Sequence, residues 1–91
     1  MAWEKVKELL QAIEAKACET VNNLTEARAA LAQIKTDATA AIAEGPPQDV
    51  ADILQAIKVT ACETYDTLTA AQMALASIKL NAAIAISLLG K

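Results

Sequence analysis

The chain has 91 residues, a formal net charge of −3, 55% hydrophobic residues and no histidine. That length suits one small domain, spanning 1–91, with limited core volume. The eight basic side chains stand singly apart from Lys5 and Lys7, so no clustered cationic surface neutralises phosphates, and a nucleic-acid partner is not expected.

The start of the chain carries Glu4, Lys5, Lys7 and Glu8 before any apolar stretch. No signal peptide is therefore expected, and an intracellular location is the simpler reading. From Leu10 onward the chain repeats itself. Residues Leu10 to Gly45 align without a gap on Leu54 to Leu89 at an offset of 44, with nineteen of the 36 pairs identical. A repeat of this length marks one structural unit used twice, with boundaries near 1–45 and 46–91. Such an offset arises by duplication and fusion or by deliberate design. A surface of Thr, Asn and Ala is unlike the Glu/Lys-rich surface usual for idealised designed helices.

Within the first unit, apolar residues recur at three- and four-residue intervals: Trp3, Val6, Leu10, Ile13, Ala17, Thr20, Leu24, Ala27, Leu31, Ile34, Ala38, Ala41. This heptad seam predicts an all-α, coiled-coil-like protein. Alanine supplies much of the apolar share, so the helices should lie close together. The break comes at Gly45-Pro46-Pro47. Gly45 can close a helix in the left-handed conformation, and Pro47 can stand in the first turn of the next. The second unit repeats the seam through Val50, Leu54, Ile57, Ala61, Thr64, Leu68, Ala71, Leu75, Ile78, Ala82, Ala85 and Leu89.

Two architectures satisfy this pattern. In the favoured one, each unit is a single helix of about 42 residues, roughly 63 Å long. The chain is then an antiparallel hairpin that completes a four-helix bundle by self-association. In the alternative, turns near Asn22-Asn23 and Asp66-Thr67 give a single-chain four-helix bundle. Those residue types favour helix caps, and Asn23 with Glu26 has capping-box spacing. Continuous seam phase and the absence of Gly at both sites favour the long helices. Thr20 and Thr64 would then lie inside the seam, with their hydroxyls bonded to the preceding turn or setting register.

The two units share a seam but not a surface. Val59, Met73, Leu80 and Ile84, flanked by Tyr65 and Ile86, stand where the first unit has Ala15, Ala29, Thr36, Ala40, Val21 and Ile42. An outward apolar surface on a helix normally has a partner. These six residues are the candidate interface, and a homodimer is the expected partner. A different helical protein or an apolar ligand is the alternative. No uninterrupted apolar run reaches the ~18–20 residues that span a bilayer, and no transmembrane segment is expected.

Chemistry has few candidates. Cys18-Glu19 and Cys62-Glu63 repeat, but neighbouring helical residues point about 100° apart and chelate poorly, and no histidine assists. Small cysteines at the edge of a helix interface are the expectation, with a disulfide or a metal site as lesser alternatives. Ser77 and Ser87 lack a base and a nucleophile-elbow pattern, and the commonest general base is missing. The reading is a protein without catalytic residues, metal or cofactor. It is a structural or interaction module that self-associates through its helices; the alternative is a bundle that binds an apolar small molecule or lipid. Trp3 is expected to cap the core at one end.

Overall fold

The computed structural model describes residues 3–90. They form four helices: α1 (Glu4–Cys18), α2 (Leu24–Ala43), α3 (Gln48–Cys62) and α4 (Leu68–Leu89). The two long helices favoured by the seam are therefore corrected. Each unit breaks after its cysteine, and the chain folds as a single-chain four-helix bundle. Its extents of 39 × 19 × 15 Å leave no room for a 60 Å rod, whereas the 22-residue α4 needs only about 33 Å.

Local chemistry explains the first break. Thr20-Val21-Asn22-Asn23 is a run of weak helix formers. The Asn23 side chain accepts the Glu26 N–H at 2.9 Å, and the Glu26 carboxylate accepts the Asn22 N–H at 2.9 Å. Together these close α2 at its start, much as a capping box does. The second unit has Ala70 in place of Glu26, so the cap is one-sided: Thr67 Oγ1 accepts the Ala70 N–H at 3.1 Å. Here Tyr65 adds a clasp, its hydroxyl donating to the Thr60 carbonyl at 2.6 Å and to Glu63 Oε1 at 3.0 Å.

Gly45 has φ of 73°, the left-handed conformation that ends α2 as expected. Pro47 stands one place earlier than expected, at the N-cap of α3 rather than within its first turn. Its carbonyl accepts the Ala51 N–H at 2.8 Å.

Helix α1 packs against α2 and α4, and α3 packs against the same two. Two long-range bonds fix the direction of the helices. Arg28 Nη2 donates to the Tyr65 carbonyl at 2.7 Å, and Gln72 Nε2 donates to the Val21 carbonyl at 3.3 Å. Residue 72 is 28 plus 44 and residue 65 is 21 plus 44, so the bonds are related by the repeat offset. They bring the starts of α2 and α4 to the same end as both intra-unit connections. The Gly45-Pro46-Pro47 turn lies at the other end.

The core divides by size. Val6, Leu10 and Ile13 of α1, with Val50, Leu54 and Ile57 of α3, are fully or almost fully buried. Each large aliphatic buried in this way contributes about 1.5–3 kcal/mol before chain entropy is counted. Helices α2 and α4 present Leu31, Ile34, Leu75 and Ile78 among buried alanines at 27, 30, 38, 41, 71, 74, 82 and 85. With so little side-chain bulk there, α2 and α4 also meet across the bundle's diagonal. Trp3 packs against this cluster at the turn end, in line with the capping role read from the sequence.

Thr20 and Thr64 are corrected. Both are exposed in the connections rather than set in the seam. The hydroxyls that bond to the preceding turn belong to Thr36 (to the Ala32 carbonyl, 3.2 Å) and Thr39 (to the Lys35 carbonyl, 2.9 Å) on the exposed face of α2.

Candidate interaction surface

On α4, the burial of Ala71, Ala74, Leu75, Ile78, Ala82 and Ala85 against the core fixes what the opposite face carries. Residues 73, 77, 80, 84 and 87 follow one another at helical spacing and point outward. Three of them are large and apolar: Met73 is 68% exposed, Leu80 66% and Ile84 47%. Val59, 52% exposed, stands on the outer side of α3. A Leu or Met left in water at this level forgoes most of the burial energy available to it.

The other two candidate residues stand elsewhere. Tyr65 lies in the α3–α4 connection, half-buried, with its hydroxyl engaged as described. Ile86 is half-buried and packs against the core. The interface candidates therefore divide into an α4 stripe of Met73, Leu80 and Ile84, an exposed valine on α3, and two residues already occupied within the bundle.

Beside the stripe runs a shallow groove of about 260 Å³ lined by Ala76, Lys79, Leu80 and Ala83. The sequence reading missed Ala76 and Ala83. Their seven-residue spacing around Leu80 is the signal that could have shown them. Lys79 is the one charged residue of α4. The equivalent outward positions on α2 are Ala29, Thr36 and Ala40, so the apolar face occurs once per chain.

Helix α4 also has the length and composition to cross a membrane. Over 18 residues its mean hydropathy is 1.5, and 28% of that window is buried within the bundle. An uninterrupted apolar run is not what gives it that character, since Gln72, Ser77, Lys79 and Asn81 fall within it.

Cys18 and Cys62 are free thiols at the ends of α1 and α3, and both are exposed. The expectation of cysteines packed at an interface edge is corrected, because each falls on the outer side of its helix's last turn. Each lies in an open groove, and the two grooves are built from matching residues. One is lined by Cys62, Glu63, Thr64, Tyr65, Arg28 and Lys35, the other by Cys18, Glu19, Thr20, Val21, Gln72 and Lys79. Among the described residues no cluster of three or more Cys, Asp or Glu side chains is arranged to hold a metal ion.

Among the described residues, Tyr65 is the one group whose titration is clearly displaced. Burial, then the hydrogen bond to Glu63 and its negative charge, push the phenol up from 10.0 to about 12. The folded state thus favours the neutral phenol. The associated stability is complete below the unfolded value and is lost as pH rises from about 10 to about 12. Unfolding followed across that window is expected to show stability falling with pH. Tyr65→Phe should remove this dependence, and an unchanged slope would contradict the assignment. Since Tyr65 is the only tyrosine, phenolate absorbance reports on it alone.

Comparison with protein-family models, with curated proteins and with solved structures finds no match for the chain. The fold class, an all-α four-helix bundle, therefore rests on the helices and their packing.

Proposed function

We propose that the protein is a non-enzymatic interaction module that self-associates through the outer face of α4. The observation that carries this reading is the α4 stripe: three large apolar side chains exposed on one face, beside a groove lined by Ala76, Lys79, Leu80 and Ala83. A second copy suits that face by shape. Two α4 helices laid antiparallel about Leu80 set Met73 opposite Ser87, Ala76 opposite Ile84 and Ser77 opposite Ala83. Leu80 then meets its own counterpart. On either side of that central leucine pair large residues face small ones, and one patch used by both partners gives a closed two-fold dimer. Lys79 falls opposite Asn81, so no acidic residue and no second lysine opposes it at the same level.

Burial of such anchors supplies the drive, because exposed Leu and Met each recover about 1.5–3 kcal/mol when covered. Met73→Glu with Leu80→Glu places four carboxylates in the dimer contact and is expected to leave a folded monomer. Light scattering would report the loss of the dimer mass, and circular dichroism the retained helix. A dimer that persists in the double variant would overturn the assignment.

A lipid or apolar small molecule as the occupant draws support from the hydropathy of α4. Its outer face, however, carries only Lys79, and the chain is net negative, so attraction to anionic lipid headgroups is weak. Co-sedimentation of the wild-type protein with vesicles, in place of a dimer in their absence, would favour that reading.

A further inference from the structure

The breaks at 19–23 and 63–67 interrupt the helices but not the heptad phase. Ala17, Thr20 and Leu24 keep the three-four spacing across the first, as do Ala61, Thr64 and Leu68 across the second. Neither connection contains Gly or Pro, and among the described residues only Gly45 has positive φ. The chain reverses at both points through extended residues: Glu19 has φ −63° and ψ 144°, and Asn23 has φ −152° and ψ 167°. The second connection repeats this, with Glu63 at −68° and 150° and Thr67 at −132° and 154°. Every one of these residues can adopt helical angles without steric penalty.

From this we infer that the bundle has a second, open state in which both connections become helical and two chains exchange halves. In the open form α1 runs into α2 as one helix over 4–43, and α3 into α4 over 48–89. Two such hairpins overlap antiparallel. The core of each half-rod is then assembled from α2 and α3 of one chain with α1 and α4 of the other. The buried side chains of the four helices keep the neighbours they have in the closed bundle, which is the condition under which exchange of identical elements is inexpensive; Val21, buried in the first connection, is the core residue that moves. Thr20 and Thr64, exposed in the closed form, enter the seam.

The closed form holds features that the open form lacks. These are the side-chain caps from Asn23 and Thr67, the Glu26 bond to the Asn22 N–H, and the Tyr65 clasp on Thr60. The two states therefore differ at the connections, Val21 included, and in concentration dependence, not in the packing of the four helices. The inference does not depend on the α4 face, which stays outward in both.

The test is small-angle scattering with light scattering on two variants over a range of concentrations. Asn23→Ala with Thr67→Ala removes both caps from each chain, four per dimer. It is expected to raise the association constant by about thirtyfold or more. Thr20→Leu with Thr64→Leu keeps the caps and strengthens only the open seam; it should shift the equilibrium the same way should the cap variant prove poorly folded. The expected product is a dimer with a maximum dimension beyond about 60 Å, against 39 Å for the closed chain, and it persists when Leu80→Glu is added. Monomers throughout, or a compact dimer abolished by Leu80→Glu, would overturn the exchange. The compact dimer would leave the α4 contact standing, so the two ideas fail separately.

Discussion

Ile34→Ala is expected to lower the free energy of unfolding by about 2–5 kcal/mol, and Ile78→Ala by a similar amount. Both isoleucines are fully buried, and both sit amid alanines that are too small to close around the space left behind. The loss combines the transfer energy of the removed carbons with the cavity that the helices retain. For 91 residues a total stability of about 5–14 kcal/mol is usual, so either change removes a large fraction. The pairing is the sharper part of the expectation. The residues are 44 apart and occupy matching places on α2 and α4, so their costs should agree within about 1 kcal/mol. Urea denaturation at one fixed protein concentration checks both values. Costs near zero, or a loss at one site only, would contradict a core shared equally by the two units.

The opposite substitution tests how closely the helices approach. Ala38→Leu and Ala82→Leu are each expected to destabilise by about 1–3 kcal/mol, although both add apolar volume. Ala38 and Ala82 are fully buried on the two helices that meet across the diagonal. A Leu at either point must displace α2 or α4, or force neighbouring core side chains off their preferred rotamers. Ala15→Leu is the control. Ala15 is exposed on α1, and the same change there should stay within about 0.5 kcal/mol. Stabilisation at Ala38 or Ala82 would mean that the diagonal contains unfilled space.

Much of the fold was legible in the sequence, and the part that was not has a definite cause. Val6, Leu10, Ile13, Ala17, Ala27, Leu31, Ile34, Ala38 and Ala41 were read as the seam and are buried, as are their second-unit equivalents. The reversals were not decided, because a seam with unbroken phase is satisfied either by a continuous helix or by two helices folded back on each other. Asn23 and Glu26 carried the deciding signal, and its strength lies in a hydrogen-bond pair that spacing alone cannot weigh. The same ambiguity displaced Thr20 and Thr64.

The candidate surface was legible for a related reason. Comparing units cancels the shared core and leaves what differs, and Val59, Met73, Leu80 and Ile84 proved to be the exposed large apolar residues. Tyr65 was misplaced because its angle was counted along a helix that has already ended at Cys62. Ile86 follows buried Ala85 by one residue and so lies at the edge of the core rather than on the outer stripe.

The most direct test of self-association through α4 is sedimentation velocity on the wild-type chain and on Leu80→Glu with Met73→Glu, from low to high micromolar concentration. A concentration-dependent dimer of the wild-type protein, absent from the double variant while its helix content is kept, is the result predicted here. A wild-type chain that sediments as a 9.5 kDa monomer across the whole range would contradict it.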